Sequence, residues 1–412
     1  MATENIVESF EDFDYRPPIS VDLSIQGLEF PIIIFNEDIV TQPSKSCLIL
    51  TGRVYATKAL DGGAREHFEP ITAEDLYTVN NAFLHLFDRI DYYIGDTKID
   101  SVRNPGITST MKGLVSFEND LNLNEACWKI KDKGSEVMNS RGYFSVCIPL
   151  SIVLGFFEDF KQFLYKIPQK LVFTKSSAPG QTNKLFFTPG NNPRDVQIQF
   201  DLRELVWRMP QVKFSIEYET KIREDILNGM DYVLQFRSWM YQSISGIRGQ
   251  EYCWDIPTSY SRVKYVLLAF QKHQGNTMTT DASIFDLCNL ENCQVLINNN
   301  TYYPRQRLNL NYSENKCVTL YKMYKNFKAS YYNEPDEAKL EPLVDCGTFL
   351  NEYPIIAIDC SYVPNVLKES LINIRINFNW RSNFDITSTI HCVMIMDNKA
   401  VYNPLHNRVI TT

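Results

Sequence analysis

The sequence predicts an all-β protein built as two β-sandwiches or jelly rolls side by side, with a few short helices in connecting loops. Three observations predict it. Strand-like runs alternate apolar and polar residues at period two. Aromatic residues, 23 Tyr and 25 Phe in 412 residues, favour pleated, half-buried surfaces. The order of elements in the first half recurs in the second at an offset of roughly half the chain, the mark of a duplicated unit. A chain of this length also exceeds one ordinary core, so two domains are expected.

The elements follow in order. Residues 1–19 are acidic, lack an apolar core and are expected to form an N-terminal arm rather than a secretory signal or transit peptide. The first jelly roll is expected over 20–211. EFPIIIF and SCLILTGRVYA read as strands, and VNNAFLHLFDRIDYYIGDTKID, Val79 to Asp100, as a hairpin with its tip at Gly95. NPGITSTMKGLVSF reads as a helix, with Pro105 near its start and Ile107, Met111, Leu114 and Val115 along it. YFSVCIPL, a short amphipathic helix in IVLGFFEDFKQFLYK, the strand QKLVFTK and the strand DVQIQFDLR complete this half.

Residues 212–229 are expected as a linker, helical over the charged stretch SIEYETKIREDILNG. The second jelly roll is expected over 230–412. It repeats the order: a hairpin with tip INNNTYY around Asn299, a helix in NKCVTLYKMYKNFKASYY, then YPIIAIDCS and LINIRINFNW. That helix is expected to bury Val318, Tyr321, Tyr324 and Phe327. LINIRINFNW gives the clearest alternation, Ile372, Ile374, Ile376, Phe378 and Trp380 against Asn373, Arg375, Asn377 and Asn379. RVKYVLLAFQK and TIHCVMIMD read as further strands.

Charge and composition exclude several functions. The formal net charge is -8, with 41 Lys+Arg against 49 Asp+Glu, so no global basic field exists to neutralise phosphates, and strong direct nucleic-acid binding is not expected. Lys322, Lys325 and Lys328 read as a solvated helix face. No run reaches membrane-spanning length, since CIPLSIVLGFFEDF is broken by Pro149 and closed by Glu158 and Asp159. Ten cysteines are dispersed, mostly in apolar strand contexts, and read as reduced small hydrophobes from a reducing compartment. The sequons at Asn299 and Asn311 are then chance matches.

The chain advertises no chemistry. It carries no Walker, dinucleotide, HExxH, CxxC or GxSxG motif, and five histidines leave little for a metal site. His391 and Cys392 are neighbours on a strand and point to opposite faces, so they form no dyad. His67 and His406 fall in a loop and a turn. Glu158 and Asp159 are candidates for paired glycosidase carboxylates by abundance alone, and read more simply as solvent-facing acids on a short helix. Tyr331 and Tyr332 could stack on a sugar or base, but read as the packed end of a helix. No catalytic residue, cofactor or metal ligand is expected.

Asn80, Asn81, Leu86, Phe87, Asp91 and the Gly95-Asp96 tip of the first hairpin resemble the first jelly roll of the double jelly-roll major capsid proteins of Polinton-type elements and adintovirus-like viruses. The family pattern sets its histidine one residue earlier, which puts His85 on the other strand face. From about Gly142 onward, IPLSIVLGFFEDFKQFL, MTTDASIFDLCNL, YYPRQRLNLNY, YKMYKNFKASYY, AIDCS and YNPLHNRV resemble capsid-like proteins of virus-derived elements in invertebrate genomes. The resemblance implies a double jelly roll acting as a major capsid protein. It implies a homotrimer with six jelly rolls, a pseudo-hexagonal capsomer of an icosahedral DNA-virus shell, with neighbouring capsomers and a penton or minor capsid protein as partners. His85 is then a structural strand residue. The rivals are a glycan-acting hydrolase, a carbohydrate-binding or adhesion module, and a single jelly roll with a long insertion.

Overall fold

The computed structural model describes residues 6–35, 38–58, 77–117, 123–128, 137–139, 141–177, 185–187, 196–256, 263–272, 281–298, 301–334, 341–361 and 373–411. Sixteen strands carry the architecture. In the first half they are β1 (Val7–Tyr15), β2 (Glu29–Ile34), β3 (Cys47–Lys58), β4 (Phe87–Ile94), β5 (Thr97–Arg103), β6 (Tyr143–Pro149), β7 (Gln169–Lys175) and β8 (Val196–Phe214). In the second they are β9 (Tyr232–Ser245), β10 (Glu251–Ile256), β11 (Val263–Lys272), β12 (Leu290–Ile297), β13 (Thr301–Tyr303), β14 (Ile356–Asp359), β15 (Ile374–Trp380) and β16 (Ser388–Asn403).

The first half pairs these strands antiparallel in two sheets, β1-β8-β3-β6 and β2-β7-β4-β5. The second half pairs β9-β16-β11-β14 and β10-β15-β12-β13. Adding eight to every label of the first half gives the second. This is the eight-stranded jelly roll, present twice with one topology. The helices repeat as well: α1 (Pro105–Ser116) follows β5, and α4 (Val318–Tyr332) follows β13. Short α2 (Gly155–Asp159) follows β6, and α5 (Cys346–Glu352) precedes β14.

Local sequence accounts for these elements. In β7 and β15 every second residue is buried, so one face meets the core and one meets water. Ile372 lies outside the described residues. The β4–β5 hairpin turns at Gly95 and Asp96, between the paired Ile94 and Thr97. Helix α3 (Ile216–Leu227) starts where the Ser215 hydroxyl accepts the Tyr218 N–H and where Glu217 and Glu219 favour the positive end of the dipole.

Several expectations change. Residues 7–15 of the expected arm form β1, paired with β8 from Val7↔Phe214 to Tyr15↔Trp207. Its interspersed acids, Glu8, Glu11, Asp12 and Asp14, hid the strand signal, and such charges are what an edge strand tolerates. Residues 212–214 of the expected linker continue β8, and the helix follows. His85 is not in a strand. Asn81 adopts φ 58°, and Ala82–Leu86 then form a 3₁₀ turn before β4 begins. In α4 the buried stripe is Leu320, Tyr324, Phe327 and Tyr331, whereas Val318 is exposed.

One apolar cluster runs through both sandwiches, and a small second cluster under α3 holds Val40, Tyr165, Val212, Phe214 and Ile226. Across the first sandwich, Tyr92 of β4 packs on Phe156, Phe157 and Trp207. Its hydroxyl donates to Gln169 Oε1 at 2.8 Å, and Gln169 Nε2 donates to Thr41 Oγ1 at 2.8 Å, tying one sheet to the other. Tyr92→Phe leaves a buried amide oxygen without its donor, and we expect a loss of about 1–2 kcal/mol in urea unfolding with an unchanged far-UV spectrum.

Candidate functional site

The strongest concentration of buried charge lies in the seam between the two jelly rolls. Four segments meet there: α1, α2, the middle of β9 and the end of α4. Gly155 opens α2 against β9, and a Cβ at that position would stand 1.8 Å from the Arg237 carbonyl oxygen. Only glycine permits this approach. On β9, inward residues Leu234 and Phe236 are buried as expected, but outward Trp239 and Tyr241 are buried too. The first jelly roll covers that outer face.

Lys112 of α1 is fully buried and pairs with Glu158 of α2. Its ammonium also lies 4.8 Å from the Trp239 ring centroid. Burial lowers the Lys112 pKa, and Glu158 opposes that shift. The other Glu158 oxygen accepts the Tyr331 hydroxyl at 2.7 Å, and Tyr332 donates to Oε1 at 3.3 Å. Burial, reinforced by the Glu158 charge, holds Tyr331 well above its ordinary pKa, so it stays a donor. Beside this group, Arg237 of β9 grips Asp159 in a two-pronged pair at 2.6 and 2.8 Å. It also donates to the Tyr331 carbonyl at 2.7 Å and stacks on its ring at 3.6 Å. Tyr324 donates to the Leu114 carbonyl at 2.9 Å, joining α4 to α1.

Glu158 and Asp159 are therefore not solvent-facing acids. Each is held by a cation, and together they bolt two domains rather than flank a sugar site. Tyr331 and Tyr332 belong to the same knot. Two clefts of about 480 and 510 Å³ flank it, lined mainly by polar and charged side chains, among them the Lys264–Asp397 pair at 2.8 Å. Neither is an apolar ligand pocket.

The remaining candidates are scattered. His85 is buried against α1, where Gly106 leaves room for its ring, and Asn81 donates to the Gly106 carbonyl and the Ser109 and Thr110 hydroxyls. Asp91 is buried, 2.9 Å from Arg89 and 2.5 Å from the Ser101 hydroxyl. His391 Nδ1 lies 2.7 Å from the Tyr241 hydroxyl, and Cys392 is fully buried. His406 sits in an exposed turn, while His67, Asn299 and Asn300 lie outside the described residues. Lys322 and Lys325 are exposed, but Lys328 is buried and donates to the Glu341 carbonyl at 3.3 Å, so the solvated face is narrower than expected. All ten cysteines are free. Among the described residues, no group of three or more His, Cys, Asp or Glu is placed to hold a metal ion, and no helix is long and apolar enough to cross a membrane.

With two jelly rolls of one topology joined along a buried seam, comparison with known proteins gives a consistent answer. The double jelly roll-like domain model matches residues 76–401. The chain belongs to that family. Among curated proteins no sequence matches it. Solved structures similar to it include that of the Sputnik virophage, with TM-score 0.60 and 8% identity over 98% of this chain and 88% of that one. The PBCV-1 virus capsid model gives TM-score 0.55 and 11% identity, covering 98% and 96%. The mavirus major capsid protein gives TM-score 0.54 and 10% identity, covering 97% and 90%. At these identities the likeness is one of fold.

Sequence reasoning missed Lys112, Arg237 and Asp100. Lys112 is the only charge in α1 and lies on a helix buried over nearly all its length, which is the one signal it gives. Lys112→Met strips Glu158 of its cation and should cost about 3 kcal/mol in thermal or urea unfolding, with Lys112→Met/Glu158→Gln recovering most of it.

Asp100 of β5 is buried and accepts the Phe156 and Ser101 N–H groups at 2.9 Å each. Burial outweighs those bonds and raises its pKa from 3.8 to about 6. The folded state therefore holds this proton more tightly than the unfolded chain does. Stability from this group is full below about pH 4 and is lost as pH rises through about 6. Asp100→Asn removes the titration, so wild type should gain up to about 3 kcal/mol relative to the variant between pH 7 and pH 4, read by urea unfolding.

Proposed function

We propose that this chain is a major capsid protein of a DNA virus or virus-derived element of the Polinton and adintovirus kind. Three copies form a pseudo-hexagonal capsomer, and capsomers tile an icosahedral shell. The observation that carries this reading is the exact repetition of an eight-strand order in two sandwiches locked side by side. Such a unit offers broad flanks to copies of itself, and threefold closure buries heterologous surfaces without leaving an open filament. The fold likeness to the mavirus major capsid protein supports the same role.

We take the first jelly roll as residues 20–211 extended by β1 and by the end of β8, and the second as 230–412, with α3 as the link. The chain acts by self-association and carries no catalytic residue, cofactor or metal. Its place is the virion, its further partner a penton or minor capsid protein, and it neither spans a membrane nor binds nucleic acid strongly. The engagement of Glu158 and Asp159 by Lys112 and Arg237 weighs against the glycosidase alternative.

Light scattering coupled to size exclusion, with electron microscopy of the peak, tests the reading. We expect trimers or closed shells, with trimer and fold lost together on heating. A stable, folded monomer across micromolar concentrations would overturn it.

A further inference from the structure

Two of the free cysteines, far apart in the chain, meet on the outer face of the first jelly roll. In the β3–β6 pair Cys47 stands opposite Pro149 and Ile49 opposite Cys147, so the two thiols are diagonal neighbours on one side of the sheet. That side is the wet one. Both cysteines are half-buried, whereas Leu48, Val146 and Ile148, which alternate with them, face the core. The sulfurs are within hydrogen-bond reach, Cys47 donating to Cys147, and Arg208 of β8 stands opposite Cys47 on its other flank.

This contact sets the pair apart from the other cysteines. Cys127, Cys293, Cys317, Cys360 and Cys392 are buried, and burial pushes the Cys288 thiol up to about 12. Cys147 moves the other way. The S–H that Cys47 donates to it, helped by the Arg208 guanidinium, outweighs burial and lowers its pKa from 9.0 to about 7, while the same bond raises that of Cys47. A part-exposed thiolate beside a second thiol is the arrangement in which one sulfur attacks an oxidant and the other resolves the product. The backbone permits closure as well. Diagonal neighbours stand about 7–8 Å apart at Cα and a disulfide needs about 6.8 Å or less, so β6 must move inward by about 1 Å. Among the described strands β6 is the edge of its sheet and pairs with β3 alone, which leaves it free to do so.

We propose that Cys47 and Cys147 form a reversible cross-strand disulfide by exchange with low-molecular-weight disulfides such as oxidised glutathione. The Cys147 thiolate attacks one sulfur of the oxidant, forming a mixed disulfide and expelling one glutathione thiolate. Cys47 passes its proton to that thiolate, and its sulfur attacks Cys147, forming the bridge and expelling the second glutathione thiolate. Two protein thiols are oxidised and one glutathione disulfide is reduced to two glutathione molecules. The bridge closes a loop of about 100 residues. It pins the edge strand that leads into α2, where Glu158 and Asp159 hold the seam.

The full-length wild-type chain tests this without any variant. The folded protein is incubated with oxidised glutathione at about pH 8, above the Cys147 pKa, the remaining thiols are alkylated, and the unreduced digest is read by mass spectrometry. We expect a peptide pair joined through Cys47 and Cys147 as the dominant product, released by dithiothreitol. Cys47→Ser should stop at glutathione on Cys147, and Cys147→Ser should slow modification of Cys47 about tenfold or more. Cys253→Ser/Cys346→Ser, which removes the two exposed thiols, should leave bridge formation unchanged. Recovery of Cys47 and Cys147 as alkylated thiols from the oxidised wild type, with circular dichroism showing it folded, would overturn the proposal. So would glutathione carried on Cys253 or Cys346 in preference to any product at Cys147.

Discussion

Burial of the Lys112 ammonium is the constraint on which the domain arrangement depends. A charge with no exposed surface must be paired and hydrogen-bonded, and its partners come from elements far apart in the chain: Glu158 from α2, with Trp239 and Tyr331 around it. Apolar contact alone would hold two sandwiches together without fixing their rotation, because it has no direction. The ion pairs and the Gly155 approach to β9 supply that direction. The link between the rolls does not. Helix α3 is largely exposed and fully buries only Ile226, over the small cluster of Val40, Tyr165, Val212 and Phe214.

The duplication is one of topology and patterning rather than of residues. Both rolls insert a helix between the fifth and sixth strands, and the two helices meet where Tyr324 reaches the Leu114 carbonyl. Yet α1 is nearly all buried and carries one lysine, whereas α4 is amphipathic and exposes lysines. Equivalent positions in a duplicated fold are free to diverge once their surroundings differ. Here α1 is enclosed by both jelly rolls, so small residues and one compensated charge are what its site accepts.

What the sequence disclosed follows the same physics. Strands with one wet face, such as β7 and β15, announce themselves by alternation, and so the repeated order of hairpin, helix and two strands was legible. Strand β9 was not, because Trp239 and Tyr241 are buried on the face that should have been polar. Strand β1 failed for the opposite reason, since Glu8, Glu11, Asp12 and Asp14 give it the look of an acidic tail and Glu11 interrupts the alternation of Val7, Phe13 and Tyr15. The seam was least legible of all. Glu158 is 46 residues from Lys112, and Asp159 is 78 from Arg237, so no local pattern links them. Read singly, the two acids look like surface residues. Only the fold shows that they are interior.

The contrast between β1 and β9 ties composition to burial. Both are edge strands at equivalent places, one covered within the chain and one not. The covered strand carries Trp239 and Tyr241, which would be a liability in water; the open one carries acids with only Phe10 and Phe13 among them. A surface that stays in water cannot be as apolar as one buried from the moment of folding. Charge keeps the uncovered strand solvated, and part of it is answered within the sheet, where Arg208 of β8 grips Asp14 at 2.7 and 3.0 Å and Lys213 pairs with Glu8 at 2.8 Å. The covered contact in this molecule is therefore aromatic around a buried ion pair, and the uncovered strand is acidic with a few aromatics.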